Sequence, residues 1–123
     1  MKPERIVRSL VHRLGFRFRL HRSDLPGRPD LVLPRHRAVI FVNGCFWHWH
    51  DDPECRIAGL PKSNLAYWRP KLARTRERDR SNTRLLQRQG WRILILWECE
   101  LGDRKGVETR VLSFLADRRS RAR

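Results

Sequence analysis

The segment from Asn43 to Pro61 has neither the period of a helix nor that of a strand. It contains three aromatic residues, two histidines and two cysteines. A chain of 123 residues has room for one hydrophobic core, so this long irregular segment has no core of its own to hold it. We therefore expect the segment to be functional, or to be fixed by an interaction other than core packing.

Regular patterns flank the irregular segment on both sides. Helical spacing occupies three regions: Glu4 to Leu14, Leu65 to Leu86 and Val107 to Leu115. Strand patterns occupy four regions: Phe16 to Leu20, Asp30 to Leu33, Ala38 to Val42 and Trp91 to Trp97. Gly15 is placed to end the first helix, and Ser63 or Asn64 to cap the second. We expect Pro70 to interrupt or restart that second helix.

The resulting order, α-β-β-β-α-β-α, predicts an α/β fold with a mixed central sheet flanked by helices. This order is compatible with a restriction-endonuclease-like core, although the pattern alone does not select that fold. We expect residues 1–123 to form a single domain, in which residues 118–123 are a frayed basic tail.

The positive charge of the chain comes almost entirely from arginine. The formal net charge is +15, and only four of the 28 basic residues are lysine. Guanidinium groups bind phosphate oxygens in pairs, so this composition favours a nucleic-acid partner. The alternative is an arginine-rich protein from a GC-rich genome. The sequence has no apolar stretch that could cross a bilayer and no signal peptide, so we expect a cytoplasmic protein without a membrane partner.

The three cysteines predict a metal site or buried thiols, because disulfides are disfavoured in the cytoplasm. Cys45 and Cys55 flank His50 in the irregular segment, and Cys99 follows the last strand. Three cysteines and one histidine are a standard tetrahedral zinc set, which would tie the segment to the sheet. The spacing leaves His48 open as a competing ligand, and three unrelated thiols with a surface histidine would give the same pattern.

Asp30 and His48 are candidates for phosphodiester hydrolysis. Asp30 opens a strand after a turn rich in glycine and proline, which is a common position for a carboxylate that binds Mg²⁺. The imidazole of His48 could take a proton from the attacking water. An aspartate that caps a turn and a histidine that packs against the core are the structural alternatives.

Four sequence blocks resemble the successive motifs of the very-short-patch repair (Vsr) endonucleases. They occur in the order and spacing of that family and cover roughly Glu4 to Leu101. The blocks are Leu25 to Asp30, Val39 to His50, Arg76 to Arg80 and Gly90 to Cys99. Gly-Cys-Phe-Trp-His followed by Trp-Glu-Cys is the most specific part of the match. The resemblance implies a monomeric bacterial enzyme, associated with the nucleoid, that nicks duplex DNA 5′ to the T of a T·G mismatch.

The resemblance also implies a catalytic Mg²⁺ site. Asp30 and the backbone carbonyl of Val42 match the metal ligands of the family, and His48 matches the residue that activates water. Glu4 and Asp79 match acidic residues near the water shells of the metal ions. Without the family, Asp79 would be an ordinary ion-pair partner within an arginine-rich helix.

The remaining matched residues concern zinc and DNA. Cys45, His50, Cys55 and Cys99 match the ligands of a structural zinc ion, which favours His50 over His48. Three further residues match aromatic side chains that wedge into the duplex beside the mismatch: Phe46, Trp47 and Trp68. Core packing is the alternative for these three aromatic residues. We assign Trp91 and Trp97, which lie in the last strand, to the core.

Two departures from the family affect the expected specificity. Asn43 stands where well-known members have a histidine, and the chain begins close to Glu4, so we expect it to lack the DNA-gripping N-terminal arm of longer members. Two other functions therefore stay open. One is a related nicking endonuclease without T·G specificity, and the other is a zinc-containing DNA-binding module without catalysis.

Overall fold

Four strands form one mixed sheet in a computed structural model that describes residues 2–20, 22–48, 50, 55 and 63–116. Along the sheet they are β1 (Arg19–Leu20), β2 (Leu31–Leu33), β3 (Ala38–Asn43) and β4 (Arg92–Trp97). The first three strands are antiparallel, whereas β3 and β4 are parallel. The helices are α1 (Pro3–Arg13), α2 (Leu65–Arg88) and α3 (Arg104–Ala116), with 3₁₀ turns at Pro34–His36 and Glu98–Gly102. The predicted α/β class with a mixed sheet is confirmed.

Helices cover both faces of the sheet, which explains why β3 is a continuous apolar run. On one face, Ile40 of β3 and Leu96 of β4 pack in a core with α1 and α3. On the other face, Val39 packs in a smaller core with Leu86 of α2 and Trp91. The parallel pair β3–β4 is therefore the centre of the structure, and α2 is the connection that crosses between these two strands.

Helix α2 runs for 24 residues without a break at Pro70, so the predicted interruption there is wrong. Proline cannot donate to the carbonyl of Ala66, but both residues are exposed at the start of the helix, where water can donate to this carbonyl instead. Asn64 precedes the helix as expected, but its backbone is left-handed (φ 59°) and its side chain makes no capping bond. Across the described ranges, no helix is long and apolar enough to span a membrane.

The strand predicted over Phe16 to Leu20 covers only Arg19–Leu20, because the backbone amides just before it make the hydrogen bonds that end α1. Gly15 has a φ of +91° and donates to the carbonyl of His12, while the amide of Phe16 donates to Val11. These two bonds are the Schellman ending that the glycine predicts. The predicted tail at residues 118–123 lies outside the described residues.

Helix α3 begins at Arg104, earlier than the predicted Val107, because Asp103 caps it. The carboxylate of Asp103 accepts the amide N–H of Gly106 at 3.0 Å. An aspartate at this position satisfies one of the unpaired amides in the first turn.

Arg92 is a charged residue inside the core, with only 4% of its surface exposed. Its guanidinium donates to the carbonyl of His36 at 3.0 Å and to that of Phe114 at 2.6 Å. It also lies 4.9 Å from the centre of the Phe114 ring. The side chain therefore joins the start of β4 to a 3₁₀ turn and to the last turn of α3, where a cation is favoured.

We predict that Arg92→Met lowers the free energy of unfolding by about 2–3 kcal/mol, because two buried carbonyls lose their donors. Urea denaturation monitored by circular dichroism measures this loss. Arg110→Met is the matched control, since Arg110 forms a partly exposed ion pair with Glu100. That control should lose less than about 1 kcal/mol. Equal losses in the two variants would contradict the role of Arg92.

Candidate active site and metal centre

A rigid turn precedes Asp30. The amide of Arg28 donates to the carbonyl of Leu25 at 3.1 Å, and Gly27 has a φ of +75°. Proline followed by glycine in this arrangement is typical of a type II turn. A Cβ atom at Gly27 would lie 3.2 Å from Asn82 of α2 and from Phe41, so the turn packs directly on the helix. The chain therefore leaves the turn in a fixed direction at Asp30.

Asp30, a predicted Mg²⁺ ligand, lies next to the backbone of Val42, whose carbonyl is the other predicted ligand. The amide of Val42 donates to Oδ2 of Asp30 at 2.7 Å, which orients the carboxylate. Both residues line a hollow of about 420 Å³, which we call the acidic hollow. Its lining residues are Lys2, Pro3, Glu4, Asp30, Val42, Gly44, Phe46, Trp47 and Glu98.

The acidic hollow offers oxygen donors, which are the ligands that Mg²⁺ prefers. The structure brings the predicted residue Glu4 together with Asp30 in this hollow. It also adds Glu98, to which sequence analysis gave no role. The signal for Glu98 was its place inside the Trp-Glu-Cys motif, directly before Cys99. The donor set of this hollow therefore fits a hard divalent cation.

His48 and Asp79 form a hydrogen-bonded pair. Nδ1 of His48 lies 2.6 Å from Oδ2 of Asp79, which projects from α2. The pair is partly buried, and the amide of His48 donates to the carbonyl of Gly44. A carboxylate at Nδ1 fixes the orientation of the ring and leaves Nε2 as the nitrogen that can take up a proton. Asp79 thus contacts the candidate base directly.

A second hollow of about 600 Å³ lies beside this pair, and we call it the basic hollow. Its lining residues are Asn43, His48, His50, Arg76, Asp79, Arg80, Thr83, Arg84, Ile95 and Trp97. The predicted catalytic residues therefore fall into two groups, with Asp30 and Glu4 in the acidic hollow and His48 and Asp79 in the basic hollow. Consecutive residues of β3, Val42 and Asn43, line one hollow each.

The four predicted zinc ligands converge. One ligand atom from each of Cys45, His50, Cys55 and Cys99 lies within 4.8 Å of the others. Donors at about 2.3 Å from a tetrahedral metal lie roughly 3.8 Å apart, so the cluster has the right dimensions. Sγ of Cys99 lies 3.5 Å from Nδ1 of His50, and the amide of Cys99 donates to Sγ of Cys45. This group could hold a metal ion, and it contains His50 rather than His48.

The protein environment alone keeps the thiols of Cys45 and Cys99 protonated. Burial raises the pKa of Cys45 to about 12, and it also raises the pKa of Cys99. A cation between the sulfurs reverses this preference, because metals bind the thiolate form. The thiols of Cys45 and Cys99 are therefore suited to binding a metal rather than to acting as nucleophiles.

Trp97 supports this cluster and is not a core residue, so its assignment to the core is wrong. Its ring stacks on His50 with centres 4.0 Å apart and an interplanar angle of 9°. Trp97 is the last residue of β4, where the sheet ends and the metal cluster begins. Trp91 is buried at the other end of the strand, as predicted.

Three aromatic side chains predicted to wedge into DNA form one cluster. Phe46 lies 5.3 Å from both Trp47 and Trp68, centre to centre, in edge-to-face contacts. Trp47 is 53% exposed, so the cluster projects from the surface rather than filling the core. Phe46 and Trp47 also line the acidic hollow, which places the aromatic cluster next to the candidate Mg²⁺ ligands.

Tyr67 and Lys71 extend the aromatic cluster, although the sequence was not expected to place them there. Tyr67 is 58% exposed and lies 5.0 Å from Trp68, and Lys71 holds its ammonium 5.3 Å from the Tyr67 ring. The ammonium also donates to the hydroxyl of Tyr67 at 3.2 Å. The signal was the spacing of Tyr67 and Lys71, which places both residues on one face of a helix.

Known proteins resemble this chain in sequence. The profile of the family described as DNA mismatch endonuclease Vsr matches residues 1–55. A type II nicking enzyme of Xanthomonas oryzae, V.XorIIP, is 52% identical over 114 residues, which cover 93% of this chain and 82% of the relative. The DNA mismatch endonuclease Vsr of Escherichia coli is 40% identical over 110 residues, covering 89% and 69% of the two chains.

The fold also resembles that of a solved nuclease. The catalytic domain of the homing endonuclease I-Bth0305I superimposes with a TM-score of 0.64 at 19% identity, and the match covers 93% of each chain. This likeness confirms the predicted nuclease-type fold, and the sequence relatives give the family. The chain belongs to the Vsr family of DNA endonucleases.

Proposed function

We propose that this protein is a monomeric nicking endonuclease that hydrolyses one strand of duplex DNA 5′ to the T of a T·G mismatch. The observation that carries the proposal is the His48–Asp79 pair, whose 2.6 Å bond presents an oriented imidazole beside an arginine-lined hollow. The nicking enzymes and the mismatch endonuclease among its relatives support the same activity. A DNA substrate of this kind implies work at the bacterial nucleoid.

His48 acts as the general base in this proposal. Its Nε2 takes a proton from the attacking water while Nδ1 stays bonded to the carboxylate of Asp79. The negative charge of Asp79 stabilises the imidazolium that forms, as a carboxylate behind a catalytic histidine does. The oxygen of the water then bonds to phosphorus, the bond from phosphorus to the leaving oxygen of the sugar breaks, and that oxygen receives a proton.

Asp30 and the carbonyl of Val42 would hold Mg²⁺, with Glu4 placed near its water shell. A bound Mg²⁺ would polarise the phosphate and stabilise the negative charge that develops during hydrolysis. The amide of Val42 holds the carboxylate of Asp30 in position, and the turn that packs on α2 supports it from behind. The acidic hollow would therefore bind the cation, and the basic hollow would hold the general base.

Phe46, Trp47 and Trp68 would enter the duplex beside the mismatch. Their exposed edge-to-face cluster is already assembled without DNA, so little side-chain ordering is needed on binding. Opening a base step costs a few kcal/mol, and a mispaired step costs less than a paired one. An aromatic wedge can therefore favour T·G over T·A pairs.

The metal in the Cys45, His50, Cys55 and Cys99 cluster would be zinc. Three sulfurs and one imidazole nitrogen leave no open position for substrate, which is the arrangement of a structural zinc site. Cys45 and His50 flank His48 along the chain, so the metal would fix the loop that aims the base. Because the cluster is closed, the proposed role of zinc is in folding rather than in the reaction.

We predict that the purified protein contains one tightly held zinc ion per chain, measured by atomic emission. Cys99→Ser should lose the zinc and lower thermal stability, since binding energy at a structural zinc is folding energy. Chelation should change tryptophan fluorescence, because His50 stacks on Trp97. In Trp97→Phe that part of the change should disappear while the zinc remains. A stable protein free of zinc would contradict the site.

We predict that Asp30→Asn and His48→Ala each slow single-turnover nicking with Mg²⁺ by about 10²–10⁴-fold, since each removes a group needed in the transition state. DNA binding, measured with Ca²⁺, should stay within a few-fold of the parent because the arginine and aromatic surfaces are intact. Asp24→Asn and His12→Ala are matched controls on the exposed surface and should nick at the parent rate. Near-parental nicking by Asp30→Asn would place the metal site elsewhere.

We predict that a T·G duplex is nicked at least ~10-fold faster than the matching T·A duplex, which corresponds to about 1.4 kcal/mol. Trp68→Ala should slow nicking of the T·G duplex more than nicking of the T·A duplex, so the ratio of the two rates should fall. Equal rates on the two duplexes would identify a nicking enzyme without mismatch specificity. Metal-independent binding with no nicking of either duplex would identify a binding module.

A further inference from the structure

Three arginines repeat at every fourth residue along one face of α2. Arg76, Arg80 and Arg84 line the basic hollow together with Thr83 and Asp79, which lie on the same face at spacings of three and four residues. The stripe therefore starts beside the candidate base His48 and continues along the helix. We refer to these three residues as the arginine stripe.

The described lining residues of the basic hollow include more basic than acidic side chains. Asp79 is the one acidic residue among them, and its carboxylate is bonded to His48. Arg80 also approaches Glu77 at 3.9 Å, but both side chains are more than half exposed, so water screens this pair. Arg80 and Arg84 are therefore placed to bind an anion beside His48.

Helix stability does not account for the stripe. Arg76 and Arg80 form one pair of like charges at i,i+4, and Arg80 and Arg84 form a second pair. Like charges at this spacing destabilise a helix. Alternating charges would stabilise an exposed helix face better than three arginines do. The stripe therefore lowers the stability of the helix, and binding of an anion would explain why it is present.

We propose that the arginine stripe is a phosphate track for the cleaved DNA strand, which places the phosphodiester next to His48. The inference rests on the proposed function, because the arginine stripe borders His48, the proposed general base of that reaction. From Arg76 to Arg84 the helix rises by about 12 Å. One strand of a duplex advances three to four phosphates over that length, at ~3.4 Å each. Consecutive arginines of the stripe are about 6 Å apart along the helix axis, so their long side chains can reach two or three phosphates within this run of one strand.

The opposite flank of α2 separates positioning from simple attraction. A third hollow there is lined by Lys71, Arg74 and Arg78, and also by Arg84 at its end; neither His48 nor Asp79 lines it. Arg74 and Arg78 can raise affinity for any duplex, but they do not line the basic hollow that holds the candidate base, whereas Arg84 lines both hollows. Arg78 is therefore a matched control for Arg80, since both lie on the same helix two residues apart.

The test is a scan with methylphosphonate, a neutral replacement, at each phosphate of the cleaved strand. Binding is measured with Ca²⁺ and single-turnover nicking with Mg²⁺. In the parent protein, neutral linkages at two or more neighbouring positions should each weaken binding about tenfold, as expected for the loss of a charged hydrogen bond. In Arg80→Gln, a methylphosphonate at one of these positions should no longer weaken binding. In Arg84→Gln, the same should hold at a different position.

The control Arg78→Gln should lower affinity evenly and leave the pattern of sensitive positions unchanged. Arg80→Gln should melt at or above the parental temperature, since it removes two repulsive pairs. An unchanged pattern in Arg80→Gln and Arg84→Gln would overturn the track. If the parent binds DNA but does not nick it, the proposed function fails, while the binding scan still decides whether the arginine stripe contacts consecutive phosphates.

Discussion

The parallel pairing of β3 with β4 determines where every part of the site lies. Its last pair is Asn43 with Trp97, so the two strands end side by side. The chain continues from these ends to Cys45 and Cys99, which already touch through the amide of Cys99 and the sulfur of Cys45. Buried hydrophobic packing on both faces holds the pair, and the Cys/His cluster, which could hold a metal ion, links the sheet to a loop that has no core of its own.

Helix α2 also positions residues of the site, and its different faces contact the core, the aromatic cluster and His48. Leu72 and Leu86 are buried and anchor the helix, while Trp68 reaches the aromatic cluster and Asp79 reaches His48. A helix with arginine on both flanks would be unstable alone, so its position depends on the buried residues and on the strands that it connects. One crossover connection therefore carries residues that we propose to contact DNA and the aspartate that is bonded to the proposed base.

Local patterns predicted the elements that depend on local physics. The apolar runs of β3 and β4, the helix ending at Gly15 and the four residues of the Cys/His cluster could be recognised from periodicity, residue type and the family blocks. The His48–Asp79 contact joins residues that are 31 positions apart, so spacing could not reveal it. The predicted interruption at Pro70 was wrong because the loss of helix stability at a proline depends on its position. Pro70 lies near the exposed start of α2, where this loss is small. The stacking of Trp97 depends on His50, which lies on another segment.

The contact between the Gly27 turn and α2 has a mechanical consequence. The side chains of Asn82 and Phe41 lie 3.2 Å from the position of a Cβ atom at Gly27, so the turn packs against α2 and β3 through these two side chains. A residue larger than glycine would have to displace one of them, in addition to adopting a φ of +75°. The turn leads to Asp30 and the helix carries Asp79, so a single substitution at Gly27 would disturb the surroundings of both carboxylates.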